Sequence, residues 1–341
     1  MDMKHELKGK TILITGGTGF LGRNLVAEIL KHKPKSIRVF SRDEVKHHIL
    51  QEKFIRHKDV IRTLIGDVRD YERLERAMRG CDIVIHAAAL KRIDMIEYNV
   101  DESIKTNILG SLNVIRAALI NKVDKVILVS SDKACSPVNT YGACKFVAER
   151  IFVENNFSKG NAKTTFSCVR YGNVLQSTGS VIPFFLSKIK NNEDIPLTNP
   201  DMTRFIITPN HAVELIFNAI KYGEGGEIFI PRLPAFKITD LINYLKEKNN
   251  SNNKVKLVGI RPGEKIHELM INSSEVSRTF EFQNMYVITS QIQKYLDRIN
   301  YNYLKNKKRT GLEEYSSNDA VLPYDKLKRY LDSIDLEKWI K

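Results

Sequence analysis

The 341-residue chain has no run of about 18 apolar residues, so no segment reads as a membrane-spanning helix. Met1 to Lys10 is charged and lacks the apolar stretch of a secretory signal. Cysteine is scarce: Cys81, Cys135, Cys144 and Cys168 stand singly, with no Cys-x-x-Cys pair. That argues against a disulfide framework and against a zinc site; no metal is expected, and a reducing cytoplasm is the expected setting. Repeats and long low-complexity tracts are absent as well. Positive charge, by contrast, is abundant, formally +14 at pH 7. The basic residues are spread along the chain, and the one dense cluster, Lys305 to Arg309, has no aromatics interleaved for base stacking. The sign of the charge therefore points to a pyrophosphate-bearing small ligand, with no nucleic-acid partner expected.

The length and a hydrophobic fraction of 42% fit one large α/β body with a smaller appendage. Short β-branched runs at 11–15, 36–41, 60–65, 83–87, 126–130 and 165–170 read as strands. Amphipathic stretches between them, such as 21–31, 71–78 and 103–120, read as helices. Strand–helix alternation at this spacing predicts a parallel, doubly wound sheet. After Tyr171 the rhythm breaks. A polar, proline-containing loop is expected over 191–203, helices over 210–222 and 239–248, and strands over 227–230 and 256–259. The division expected is 1–172, with a returning segment about 206–230, for a dinucleotide domain, and 173–205 with 231–290 for a smaller mixed α/β substrate domain. The tail, 291–341, is too weakly patterned for a fold to be assigned.

The glycines Gly16, Gly19 and Gly22, in Gly16-Gly17-Thr18-Gly19-Phe20-Leu21-Gly22, follow the first strand and open the first helix. They permit a tight turn, close backbone approach to a pyrophosphate and close helix–strand packing, while the helix N-terminus offers N–H groups to the phosphates. A dinucleotide is expected here, touching Gly16, Thr18, Gly19, Phe20, Leu21 and Gly22. The second strand ends in Ser41-Arg42, with Lys46 a turn later, where an acidic residue would favour NAD. A guanidinium suits a ribose 2′-phosphate, so the cofactor expected is NADP. Asp67 and Val68, the small residues Ala87 and Ala88, Lys91 and Asn107, and further on Tyr141 and Lys145, complete the expected cofactor set.

Ser130-Ser131-Asp132-Lys133-Ala134 ends a strand, and Tyr141-Gly142-Ala143-Cys144-Lys145 opens a helix. Tyr141 and Lys145 lie four apart and so share a helix face. An ammonium neighbour favours a phenolate; bringing a tyrosine from about 10 toward neutrality asks roughly 4 kcal/mol of Lys145 and a cationic nicotinamide. Such a phenolate can take the proton of a sugar hydroxyl as hydride leaves the same carbon.

These segments resemble the extended short-chain dehydrogenase/reductases with a Rossmann-type sheet, and within them the UDP-N-acetylglucosamine 4,6-dehydratases that invert C5. The Gly-rich loop, Ser131-Asp132-Lys133-Ala134 and YGACK carry the likeness. So do Arg170-Tyr171-Gly172-Asn173, Gly179 to Phe185, Met202-Thr203-Arg204-Phe205 and Arg261-Pro262-Gly263-Glu264-Lys265, and the likeness spans about residues 8 to 285. It implies Tyr141 with Lys145 for oxidation at C4, Lys133 as the C5 base, Asp132 as the acid at O6, and Ser131 bonded to the 4-hydroxyl. For Lys133 to act as a base its pKa must fall, through desolvation and Lys145. Arg204 and Arg261 match positions that contact the UDP-sugar, and Arg261, in a Pro-Gly loop, is expected to be buried against an anion. Glu264, Asn173, Val181, Met202, Lys91 and His86 are expected around the same substrate. A homo-oligomer, dimer or hexamer, is a further implication. Ser131 in place of threonine, Thr178 in place of arginine and Lys91-Arg92-Ile93-Asp94 depart from the family pattern and bear on the identity of the sugar. Two rivals share much of this pattern: a UDP-sugar 4-epimerase, which needs no acid–base pair for C5 and C6, and a non-catalytic NADP-binding sensor.

Overall fold

The structure is a computed structural model that describes residues 3–175, 180–292 and 299–334. Gln176-Ser177-Thr178-Gly179, which holds the Thr178 departure and the first residue of the Gly179 to Phe185 segment, lies outside the described residues. Sixteen strands are described, in chain order β1 (Thr11–Thr15), β2 (Ser36–Ser41), β3 (Ile61–Ile65), β4 (Ile83–His86), β5 (Lys125–Val129), β6 (Thr165–Val169), β7 (Asn173–Val174), β8 (Ile195–Leu197), β9 (Thr203–Ile207), β10 (Ile228–Pro231), β11 (Ala235–Lys237), β12 (Val255–Leu257), β13 (Leu269–Ile271), β14 (Thr279–Phe282), β15 (Met285–Ile288) and β16 (Tyr315–Ser316).

Nine of them form one sheet in the order β14-β15-β10-β6-β5-β4-β1-β2-β3. From β3 to β10 every pairing is parallel. Strands β1 and β4 are buried along their whole length, which is why they read as unbroken apolar runs. Chain order reverses between β1 and β4, so a crevice opens beyond their carboxyl ends, where α/β folds bind their ligands. The doubly wound sheet expected from the alternation is present.

Beyond β6 the expectations held less well. Strands β14 and β15, within the stretch 231–290 expected in the smaller region, instead add two antiparallel strands to the large sheet. The stretch 191–203 is not all loop: β8 pairs with β12, and β9 begins at Thr203. The expected helix 103–120 is divided, with a π-helical turn over Ile104–Leu109 before Gly110–Ile120. A second apolar cluster, around Phe185, Ile206, Leu241 and Leu245, lies under the smaller sheets.

The tail is built into this body. The Tyr301 hydroxyl donates to Gly225 O at 3.0 Å and that of Tyr303 to Glu227 at 3.2 Å. β16 pairs with β13, and the helix Tyr324–Asp332 sinks Leu327 and Leu331 into the second cluster. No helix among the described residues is long and apolar enough to cross a membrane.

Candidate active site

The glycine loop sits where β1 meets the helix Phe20–Leu30, whose N-cap is Gly19. Gly16 has φ +68°, and a Cβ there would lie 2.9 Å from Ala88 Cα. A Cβ on Gly22 would collide with the backbone of Gly17. Ala87 and Ala88 therefore wall the loop closely, and the backbone cradle fits a dinucleotide pyrophosphate lying on Phe20, Leu21 and the helix end. Thr18 is buried, and its hydroxyl bonds that of Ser41 at 2.8 Å; Ser41 also meets His47 Nε2 at 3.0 Å. Ser41 thus braces the loop from below.

Beyond Ser41 the charges divide. Asp43 caps the helix Glu44–Lys53, accepting from Lys46 N at 3.0 Å, and its carboxylate pairs with Lys46 Nζ at 2.6 Å. Arg42 is 53% exposed, with only a loose approach to Asp67 at 3.6 Å. Asp67 is held by Arg69 at 2.7 Å, and Val68 is buried against the place where a Gly110 Cβ would stand.

Two expected ligand contacts become scaffold. Asn107 spends its amide on Leu90, accepting from Leu90 N at 2.8 Å and donating to Leu90 O at 2.9 Å, and so shapes the loop after β4. His86, expected at the sugar, is 1% exposed, stacked on Phe152 and bonded to Thr15 Oγ1 at 2.7 Å and Ser111 Oγ at 3.1 Å. The Ser111 proton goes to Asn107 O, so Nε2 donates to Ser111 and Nδ1 accepts from Thr15; the ring is neutral. Burial, with Lys145 nearby, pushes its pKa down to about 3. A depressed histidine favours the folded state above the unfolded pKa near 6.5 and loses that contribution as pH falls toward 3. Between pH 7 and pH 4 this is about 3 kcal/mol. Denaturant unfolding at both pH values should show that drop in the wild type, over and above the drop in His86→Gln.

Ser131 caps a short 3-10 turn, Asp132–Ala134, accepting from Lys133 N at 3.2 Å and donating to Asp132 Oδ1 at 2.7 Å. Lys133 Nζ lies 3.2 Å from Asp132 Oδ1 and 3.4 Å from Glu268 Oε1, between two buried carboxylates. The helix Thr140–Ser158 presses onto this turn, because a Cβ at Gly142 would meet Lys133 O. That close approach explains the glycine after Tyr141 and brings the phenol to the Asp132–Lys133 turn. Asn139 caps the helix at Gly142 N (2.8 Å) and donates to Gly263 O at 2.8 Å, so it ties the catalytic helix to the Arg261–Lys265 loop. Lys133, Val138, Asn139, Gly263, Lys265 and Glu268 line one narrow cleft.

The electrostatics differ from expectation in three ways. Lys145 does not meet Tyr141: its ammonium, buried, donates to Val129 O at 2.8 Å, and burial pushes its pKa down to about 8 against Glu149. The cation beside Tyr141 is Lys133. Burial pushes the phenol up, opposed by Lys133 and by a hydrogen bond with Ser131. Lys133 is not depressed either. Burial works downward, but the carboxylates of Asp132 and Glu268 hold its ammonium well above the ordinary lysine value. Asp132 is raised by burial, and Glu268, despite burial, is held low by Lys133 and Arg204.

On the substrate side, Arg204 is buried and spent on protein: it donates to Thr203 O at 2.7 Å and Ile266 O at 3.1 Å, touches Met202 Sδ at 3.0 Å, and faces Glu268 at 3.7 Å. Arg261 is exposed, not buried as expected, in a turn closed by Glu264 N to Arg261 O at 3.1 Å. Lys91 is exposed on the loop after β4. Asn173 Oδ1 is buried without a hydrogen-bond partner, and Val181 opens the helix Val181–Lys190. Arg170 anchors the base of the site, fully buried between Glu149 at 2.6 Å and Glu275 at 2.9 Å. Glu268 escaped sequence reasoning, since only the folded chain shows its partner.

A parallel sheet with this glycine cradle, and a Tyr-x-x-x-Lys helix on its carboxyl edge, defines an extended short-chain dehydrogenase/reductase. Residues 12–290 match the family model described as polysaccharide biosynthesis protein, and the chain belongs to that family. A UDP-N-acetylglucosamine 4,6-dehydratase (inverting) from Campylobacter jejuni is 47% identical over 84% of this chain and 84% of its own length. A UDP-glucose 4-epimerase from Rickettsia bellii is 41% identical over 96% of each. The X-ray structure of Pen from Bacillus thuringiensis is 40% identical, with a TM-score of 0.89, covering 96% of this chain and 99% of that one.

Proposed function

We propose that this chain is a C5-inverting UDP-N-acetylglucosamine 4,6-dehydratase, a hydro-lyase that forms a UDP-4-keto-6-deoxy-hexosamine. The observation that carries this reading is the pairing of half-buried Lys133 with the buried carboxylate of Asp132 beside Tyr141. A 4-epimerase has no use for a second acid and base there, and a sensor has no use for either group.

The chemistry the dinucleotide supplies when bound is reversible hydride exchange with the sugar. Tyr141, as the phenolate that Lys133 favours, takes the 4-hydroxyl proton, and the Ser131 hydroxyl, turned from Asp132, donates to the same oxygen. Lys145 has used one of its three N–H donors on Val129 O, leaving two for ribose hydroxyls. The ketone at C4 acidifies the C5 hydrogen. Lys133 at rest is an ammonium, so its proton must leave first, and Asp132 at 3.2 Å, raised by burial, can receive it. The neutral amine then takes the C5 proton while the Asp132 acid protonates O6, which leaves as water; C6 then accepts the hydride back and C5 a proton from solvent, which completes the 4-keto-6-deoxy sugar. The pair ends as it began, ammonium beside carboxylate. The raised value of Lys133 is thereby compatible with a base.

NADP is the cofactor in this reading. What supports it is that Asp43, the nearest carboxylate after β2, is spent as a helix cap, while Arg42 stands exposed. Lys46, paired with Asp43, is a weaker candidate for the 2′-phosphate. Arg42→Ala should weaken NADP binding about tenfold or more and leave NAD within about twofold, by fluorescence titration. In this reading Arg261 and Asn173 meet the diphosphate, Glu264 a ribose hydroxyl and Lys91 the sugar, with Val181 and Met202 in the same substrate region, while Arg204, spent on Thr203 O and Ile266 O, braces its wall. The exposed apolar side chains of Met95, Tyr98, Val100 and Ile104 support a homo-oligomer, dimer or hexamer. A cytoplasmic location and the division into a dinucleotide and a substrate region belong to the same proposal.

The direct test is incubation with UDP-N-acetylglucosamine and NADP, followed by mass spectrometry. A dehydratase gives a product lighter by one water. A mass-neutral isomer would favour the epimerase, and no turnover the sensor.

A further inference from the structure

Lys133 is flanked by two carboxylates, and they are not equivalent. Asp132 is its neighbour in sequence and is bonded by the Ser131 hydroxyl. Glu268 reaches in from just before β13, on the opposite wall of the cleft, to 3.4 Å from Nζ. Its backbone is gripped by the tail: Glu268 N donates to Ser317 Oγ at 2.9 Å, and Ser317 N donates to Glu268 O at 2.8 Å. The Ser317 and Thr203 hydroxyls bond at 2.6 Å, and Thr203 also meets His267 Nδ1 at 2.8 Å. Ser317 lies past the end of the family match at residue 290. Glu268 is 3% exposed, and its second oxygen, Oε2, is buried without a hydrogen-bond partner. A buried carboxylate left half satisfied is costly unless it serves a cation or a ligand.

We infer that Glu268 is a positioning residue for the elimination half of the reaction: it aims Lys133 at C5, and the tail segment around Ser317 holds it there. The inference rests on the dehydratase reading above. Glu268 exchanges no proton in it. The proton passes from Lys133 to Asp132, the C5–H bond breaks toward the Lys133 amine, its electron pair forms the enolate, and the C6–O6 bond breaks as Asp132 protonates O6. Glu268 remains an anion throughout, steering the amine before the step and stabilising the ammonium re-formed by it. Tyr141, not Glu268, handles the 4-hydroxyl proton, so oxidation at C4 does not need Glu268.

Single turnovers of the NADP-loaded enzyme with UDP-N-acetylglucosamine separate the two halves. In Glu268→Gln, the absorbance of reduced nicotinamide should rise at close to the wild-type rate and persist. Formation of the dehydrated product should fall on the order of a hundredfold, the usual scale for a misplaced reacting group. Glu268→Asp should recover part of this, and Ser317→Ala should show the same split in milder form. Product formation at the wild-type rate in Glu268→Gln would overturn the inference. So would a parallel loss of both signals in Glu268→Gln and Ser317→Ala. Absence of dehydrated product from the wild type would instead overturn the dehydratase reading.

Discussion

Lys133→Met should lower formation of the dehydrated sugar by about 10²–10⁴-fold, the range for loss of a general base, while oxidation at C4 continues. Methionine keeps much of the length of the side chain and removes only the amine. The cost to folding is limited in part because Arg204 stays beside Glu268, and Asp132, already raised by burial, can take up a proton. The double variant Asp132→Asn, Lys133→Met should be no slower than Lys133→Met alone, because the two residues pass one proton between them and act as a unit. Multiplied losses in the double variant would mean that they work independently. Quenched-flow assays of product, with reduced nicotinamide followed in parallel, read both effects.

The second large effect is at Tyr141. Tyr141→Phe should depress every product by about 10²–10⁴-fold, and reduced nicotinamide should not form at all on the wild-type time scale. Only one oxygen is removed, and burial already disfavours the phenolate, so stability should change little. The contrast with Lys133→Met is the point of the comparison: one variant stops before C4 oxidation, the other after it. If Tyr141→Phe still formed reduced nicotinamide at the wild-type rate, another group would be the base at O4.

The parts of this site legible in the sequence are those made by neighbours in the chain. TILIT and the glycines after it declare a strand, a turn and a helix start, and the structure has them at those positions. Ser131, Asp132 and Lys133 are read together because one turn holds them. Four-residue spacing placed Tyr141 and Lys145 on one face, but it could not say that Lys145 would bend to Val129 O, since that carbonyl belongs to β5. His86 resembled a ligand because sequence gives residue type without burial; inside, Thr15 and Ser111 absorb both ring nitrogens. Arg204 and Arg261, both expected on the UDP-sugar, sit differently, one buried on backbone carbonyls and one exposed on a turn. Glu268 and Ser317 were invisible because their meaning comes from β13 pairing with β16, a contact between the body and a tail with little pattern of its own.

Turnover of UDP-N-acetylglucosamine in heavy water, with the product examined by NMR, tests the central claim most directly. If Lys133 takes the C5 proton and solvent replaces it, the 4-keto-6-deoxy product carries deuterium at C5, with the configuration there inverted. A product that keeps its original hydrogen at C5, or an isomer altered only at C4, would contradict it.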